Sequence, residues 1–415
     1  MPVFTTLFAL MLFLSTGLKV FLDLRQISYV GHHRSKVPSA FQQAIDLQSH
    51  QKAADYAIAK TRLNLVQHLY DGLILVFLTF GGGLLWIDEH VHVLLKDLTG
   101  STAFILCVFL LLAMLDLPFE VYRIFGIEKK FGFNHMTPGL FVRDTLLHAL
   151  VGLALGLPLL MTILWIMQTY PNHWWIAAWL VFIGFNLIVL ALYPTFIAPL
   201  FNHFQPLSDD SLKNRINALL EKCGFKVNGL FVMDGSTRSS HGNAYFTGLG
   251  KSRRIVFFDT LFKQLEPDEV LAVLAHELGH YKLHHVHKRI ALMFIVSFLG
   301  LWLLAKLMTH TWFFTGLYLP VPGNAEALIL FLIAGPIFLF PFTPIGSWYS
   351  RRHEYDADAY ATRQIKPDKL VNSLVKLFKD NASTLTPDPL FSLFYDSHPG
   401  AQARISRLRE AESNT

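Results

Sequence analysis

Two histidines four residues apart bracket a glutamate in the run His276-Glu277-Leu278-Gly279-His280. On a helix this spacing puts both imidazoles on one face, one turn apart, where they can reach a single tetrahedral zinc ion. Glu277 projects about 100° round from His276 and can act on a water instead of binding the metal. Three fixed positions arise readily by chance in a chain with 19 histidines. The surroundings add weight. Val270-Leu271-Ala272-Val273-Leu274-Ala275 forms a helix with a buried stripe, and Leu278 and Gly279 carry no charge.

A catalytic zinc with an open position needs a third protein ligand. His284 and His285 follow too soon for a further histidine on the same helix region to serve. The better candidate is Glu354, in Arg352-His353-Glu354-Tyr355-Asp356-Ala357-Asp358. Glu354 and Asp358 are again i and i+4. One helix face then offers a ligand and a carboxylate that accepts the free N–H of a ligating imidazole. Arg351 and Arg352 read as interfacial anchors beside a membrane span. Cys107 and Cys223 make neither a disulfide framework nor a metal knuckle, so the donors are histidines and carboxylates.

The elements that must position these residues are greasy. Of 415 residues 53% are hydrophobic and only 16% charged, against about a quarter charged in an average soluble chain. Mean hydropathy is +0.39. A polytopic membrane body with a smaller water-facing part fits this composition. The formal charge of +5 is spread over several loops, which suits basic cytoplasmic loops and leaves nucleic acid out of the expected partners.

A spanning helix needs roughly 20 mostly apolar residues. Seven stretches qualify, at about 3–23, 67–87, 102–122, 145–168, 174–199, 288–308 and 326–348. The first has no basic residues before its apolar run and no clear cleavage site, so it reads as a retained anchor. Every odd-numbered connection, and the C-terminal segment, is rich in Lys and Arg. The N-terminus is therefore expected outside and the C-terminus in the cytoplasm.

The chain divides into 1–199 with spans one to five, 200–287, 288–348 with spans six and seven, and 349–415. Within 200–287, an amphipathic helix starts at Ser208-Asp209-Asp210-Ser211. Strand-like runs follow at Gly229–Met233, Asn243–Thr247 and Arg254–Phe258, separated by Gly/Ser turns, and Asp268–His287 is helical again. The helix with His276 is expected to continue into the sixth span. Segment 349–415 reads as helices joined by a Pro/Ser/Thr-rich loop near 382–389. His284, His285 and His287 read as an interfacial cluster. Asp116 and Glu120, i and i+4 late in the third span, are expected to face a bundle interior or a water-filled cavity.

Taken together, seven spans, the His-Glu-x-x-His helix and Glu-x-x-x-Asp after the seventh span resemble the type I CAAX prenyl protease family of membrane gluzincins. Further stretches carry the resemblance: Phe125-Gly126-Ile127-Glu128-Lys129-Lys130-Phe131-Gly132-Phe133-Asn134, Ser239-Ser240-His241-Gly242-Asn243-Ala244-Tyr245, Arg254-Ile255-Val256-Phe257-Phe258-Asp259-Thr260-Leu261, and Ser397-His398-Pro399 followed by Arg404. The match covers nearly the whole chain. It implies a mainly α fold, a seven-helix transmembrane bundle enclosing a chamber, with a small cytoplasmic α+β zinc metalloprotease domain.

It also implies His276, His280 and Glu354 as ligands of one Zn2+, Glu277 as general base, and Asp358 as the partner of His276. Asn243-Ala244-Tyr245 would pair with the substrate backbone. His398 and Arg404 would flank the cleft and stabilise the oxyanion. The implied partners are the lipid bilayer and a peptide or protein substrate, possibly prenylated. A quality-control protease without prenyl specificity is the alternative within the same chemistry, and a transporter with an incidental motif is the alternative outside it. The ending Glu412-Ser413-Asn414-Thr415 carries no recognisable ER-retrieval signal. That leans towards a bacterial member in the cytoplasmic membrane, with the site on the cytoplasmic side. In a eukaryote the ER membrane is expected.

Overall fold

The structure is a computed structural model that describes residues 3–248 and 253–413. Asn414 and Thr415 of the tail, and residues 249–252 of the turn expected between the last two strands, lie outside the described residues. Among the described residues, six helical stretches are long and apolar enough to cross a membrane: Val3–His33, Asp97–Phe131, Pro138–Thr169, Trp174–Phe201, His285–Leu307 and Asn324–Thr362. Leu47–Leu78 and Gly83–Leu94 form a bent pair that makes a seventh. Helices close their backbone hydrogen bonds within themselves, as lipid requires. Only 6% of the most apolar stretch of Trp174–Phe201 or His285–Leu307 is buried against protein, so these helices present their side chains outward.

Three expectations about the spans change. The stretch at 67–87 is not one straight helix: it breaks after Leu78 and turns by 55° before Gly83. Gly82 sits at the turn with φ 72, a left-handed conformation that glycine adopts without a Cβ penalty. The helix carrying His276 does not continue into the sixth span either. It ends at Lys282, and His284 takes φ 58 before the next helix begins at His285. Finally, the last apolar helix does not stop near 348. Asn324–Leu339 passes through a short 3-10 turn, Phe340–Phe342, into Thr343–Thr362, so the residues around Glu354 ride on the continuation of a span.

The water-facing part contains a four-stranded sheet among the described residues: β1 (Phe204–Pro206), β2 (Leu230–Met233), β3 (Ala244–Thr247) and β4 (Arg254–Phe258), in the order β1-β2-β4-β3. β2 and β4 run parallel and the other pairs antiparallel. β1 was not expected. It is three residues long and ends in proline, which sheets tolerate only at edges. β3 forms the other edge of the sheet.

The motif helix, Pro267–Lys282, packs on this sheet. Its start is specified locally: Pro267 occupies the first turn, and Glu266 and Glu269 form a reciprocal capping box. Leu271, Leu274 and Leu278 on one side of it join Ile255 and Phe257 of β4 in a common core. Ile216 of Asp210–Lys222, Leu374 of Pro367–Asp380 and Ile405 of Ala401–Ser413 complete that core. Phe41 and Ile45, from the connection between the first two spans, are buried in it as well, which ties the membrane body to the sheet.

Phe257 is fully buried at the centre of this core. Phe257→Ala should destabilise the water-facing part by about 3–5 kcal/mol, read as a lower thermal unfolding midpoint of the full chain in detergent. An unchanged midpoint would mean that this core does not limit stability.

Candidate metal centre

The motif helix and the helix Thr343–Thr362 lie against each other along their length, and the approach is set by Gly279. A Cβ built on Gly279 would stand 2.9 Å from Ala357 Cα and 3.0 Å from its carbonyl oxygen. Glycine inside a helix costs about 1 kcal/mol relative to alanine, so it needs a packing reason, and here the reason is contact between two backbones. That contact brings Glu354 up to the histidines. His276 Nε2 lies 3.1 Å from His280 Nε2, and Glu354 carboxylate oxygens lie 3.4 and 3.2 Å from those two nitrogens.

These spacings test whether a metal fits. Donors about 2.0–2.2 Å from a tetrahedral ion are roughly 3.3–3.6 Å from one another, close to the separations present. Glu354 is 3% exposed, and its Oε2 has no hydrogen-bond partner among the described residues. Two nitrogens and a carboxylate converge on one point with an acceptor left over, an arrangement that a bound cation would complete. The His276 imidazole shows the same demand. Burial alone would push its pKa down, yet the neighbouring Asp358 and Glu354 carboxylates outweigh it and raise it to about 9.

A second set of contacts orients the two rings. Asp358 Oδ1 lies 2.8 Å from His276 Nδ1, which directs Nε2 towards Glu354. Asp358 is held in turn by Arg404, whose Nε and Nη2 donate to its two oxygens at 2.9 and 2.6 Å. Arg404 is 6% exposed. Its guanidinium lies beneath His276 with Nη1 3.9 Å from Glu354 Oε2, and the residue also lines the cavity beside His398. On the other side, His280 Nδ1 lies 3.0 Å from His285 Nδ1, and the His285 ring stacks on His353 at 3.9 Å. His285 is therefore buried beside the site and not part of an interfacial cluster, whereas His284 and His287 are exposed.

Glu277 is half-buried, and burial pushes its carboxyl up from the usual carboxylate range, opposed by the neighbouring His276 and His280. His398 is exposed, with Nε2 3.5 Å from Glu354 Oε1. Its loop is pinned by Arg351, which donates to the carbonyls of Ser392 and Asp396 at 3.0 and 2.8 Å. Arg351 is thus more than an interfacial anchor. A cavity of about 650 Å³ opens here, lined by His398, Arg404, His241 and Asn243 among others.

Asn243 precedes β3, and Ala244 and Tyr245 pair with Phe257 and Val256 of β4. The outer edge of β3, on the side away from β4, has no strand partner among the described residues. Two motifs far apart in sequence meet behind it. Asn134 bridges to Ser239, Ser240 N–H donates to the Phe133 carbonyl, and the Phe133 ring stacks on His241 at 4.6 Å. Asp116 and Glu120 line a separate cavity of about 760 Å³ in the membrane body, with Gln67, Arg123, Asp144 and Arg238. Gln67 donates to Asp116, and Arg123 pairs with Glu120.

Comparison with known proteins agrees in both halves of the chain. Residues 26–203 match the CAAX prenyl protease N-terminal region of five membrane helices, and residues 206–412 match peptidase family M48. The chain is 31% identical over 412 residues to the Arabidopsis thaliana CAAX prenyl protease 1 homolog, covering 96% of this chain and 95% of that one. To the Saccharomyces cerevisiae CAAX prenyl protease 1 it is 33% identical over 408 residues, covering 90% and 88%. The crystal structure of S. mikatae Ste24p superposes with a TM-score of 0.91 at 30% identity, over 98% of this chain and 99% of that chain.

Gly279→Ala should push the two helices apart and lower the metal content of the purified protein well below that of the wild type. Gly346→Ala, on the neighbouring helix where a Cβ meets nothing within 4 Å, should leave metal content unchanged. Equal metal content in both variants would contradict the close approach as the determinant of the site.

Proposed function

The chain belongs to peptidase family M48, and from that premise we propose that it is a zinc-dependent membrane endopeptidase of the CAAX-processing type, with His276, His280 and Glu354 holding one zinc ion at this centre. The observation that carries the reading is the convergence of two imidazole nitrogens and a carboxylate at 3.1 to 3.4 Å. A two-nitrogen, one-carboxylate set with room for substrate suits catalytic zinc. When bound, the metal supplies Lewis acidity to the scissile carbonyl and to the attacking water.

The remaining steps belong to the chain. Glu277 takes the proton from the attacking water and passes it to the leaving amine, a role favoured by the burial that raises its proton affinity. Asp358, held by Arg404, keeps His276 in the tautomer that presents Nε2. His398 reaches into the cavity from the opposite side and donates to the oxyanion. The free edge of β3 takes the substrate in extended form, with Asn243, Ala244 and Tyr245 supplying the backbone register. Basic connections on this side of the membrane support placing the site at the cytoplasmic face. The curated relatives are CAAX prenyl proteases, which supports a prenylated peptide as substrate.

Three results are expected. Glu277→Ala abolishes peptide hydrolysis while the metal content stays at the wild-type level; loss of the metal would instead make Glu277 a ligand. His398→Ala lowers kcat by about 10²–10³-fold with metal retained and KM little changed. Of two matched peptides differing only in a farnesyl group on cysteine, the farnesylated one is cleaved preferentially. Equal cleavage would remove prenyl specificity and favour a quality-control substrate.

A further inference from the structure

At the opposite end of the molecule a second set of metal-type donors comes together. Asp88 and His92 are i and i+4 on the helix Gly83–Leu94, the far arm of the bent span, and Glu326 lies in the first turn of Asn324–Leu339. One donor atom from each falls within 4.8 Å of the other two. Asp88 is 4% exposed and Glu326 5%, so both carboxyl groups are withdrawn from water. Asp88 Oδ1 stands 2.9 Å from His92 Nδ1, yet it has no hydrogen-bond partner among the described residues. The contact His92 Nδ1 does make is to the Asp88 carbonyl, at 3.0 Å. A buried carboxylate oxygen at the cluster is left without a well-formed hydrogen bond.

Glu326 is held in place by a neighbour with no side chain. A Cβ on Gly323 would stand 1.8 Å from Glu326 Oε2, so the carboxylate folds back over the space that glycine leaves open. From Glu326 to Glu354 there are 28 residues along one nearly continuous helical path, roughly 40 Å at the rise of an α-helix. This cluster and the catalytic centre thus mark opposite ends of the same element, on opposite sides of the membrane.

Two buried carboxylates and a neutral imidazole carry a charge of −2 that a low-dielectric site cannot leave unbalanced. A proton shared between the two carboxyls, which lie within hydrogen-bonding reach of each other, would balance half of it. A divalent cation balances all of it and gives each donor a partner. We propose that Asp88, His92 and Glu326 bind a second divalent ion of the first-row transition series, which staples the end of the bent span to the start of the last one. The imidazole donor selects zinc-like ions over calcium or magnesium, which take oxygen ligands.

The test is the metal content of the purified full-length chain in detergent, equilibrated with micromolar zinc, desalted and measured by mass spectrometry. Glu326→Gln and Asp88→Asn, which keep shape and remove charge, should each lower the content by one equivalent relative to wild type and leave peptide hydrolysis in place. Gly323→Ala, which displaces only the tip of Glu326, should lower zinc retention in the same direction and decides the matter if the first two variants fail to fold. His276→Ala removes the other equivalent together with hydrolysis, so failure of the catalytic assignment appears separately. A folded Glu326→Gln or Gly323→Ala chain with the wild-type zinc content would overturn the proposal, whatever the total.

Discussion

The structure turns on a problem of charge. His276 Nε2, His280 Nε2 and the Glu354 carboxylate stand within 3.1 to 3.4 Å of one another, in a place from which water is largely excluded. Without a cation between them, two lone pairs and an anionic group would face each other with one carboxylate oxygen unsatisfied, and leaving a buried charge uncompensated is strongly destabilising. The surrounding elements hold the donors in that arrangement. Gly279 lets the two helices touch at Ala357, and the capping box at Glu266 and Glu269 fixes where the motif helix begins. Asp358 and Arg404 lock one ring from below, while His285 meets the other from the side.

This support is drawn from parts of the chain remote in sequence. Arg404 belongs to the last helix and Asp358 to the extension of the last span. The loop with His398 is pinned by Arg351, nine residues beyond the span's 3-10 turn at its nearest edge. Each contact is a charge-assisted hydrogen bond in a partly desolvated setting, stronger than a neutral one. Loosening any of these elements shifts a donor, so the membrane body and the water-facing part act as one frame for the centre. The pairing of Arg404 with Asp358 follows from the same economy of charge, since Asp358 would otherwise be a second buried anion beside Glu354.

Much of this was legible in the residues. The i, i+4 spacings of His276 with His280 and Glu354 with Asp358 foretold two helices offering one face each, and the β4 run matched its strand from Arg254 to Phe258. What escaped detection shares a physical cause: it depends on neighbours that are distant in sequence. The break at His284 lies inside an unbroken helical pattern, because one left-handed residue leaves no trace in periodicity. The bend after Leu78 was foreshadowed by the Gly81-Gly82-Gly83 run, but hydropathy over the same window overrode it. β1 is too short and too polar to register. Gly279 carried a signal, a helix-breaking residue inside a strong helix, whose explanation appears only with Ala357 opposite it. His285 looked like one of three interfacial histidines until the fold buried it against His280.

The membrane adds a last constraint. Because the last span runs on through its 3-10 turn into the helix with Glu354, the position of that span sets where the centre stands relative to the membrane body. A substrate whose end is tethered to lipid would meet the cleft without leaving the membrane surface. The central claim is the ligand set, and the most direct measurement is anomalous diffraction at the zinc edge from crystals of the full-length protein. A peak is predicted within about 2.0–2.2 Å of His276 Nε2, His280 Nε2 and a Glu354 oxygen. A catalytic-face peak bound by Glu277 in place of Glu354, or no peak between the two histidines in zinc-equilibrated crystals, would contradict the account.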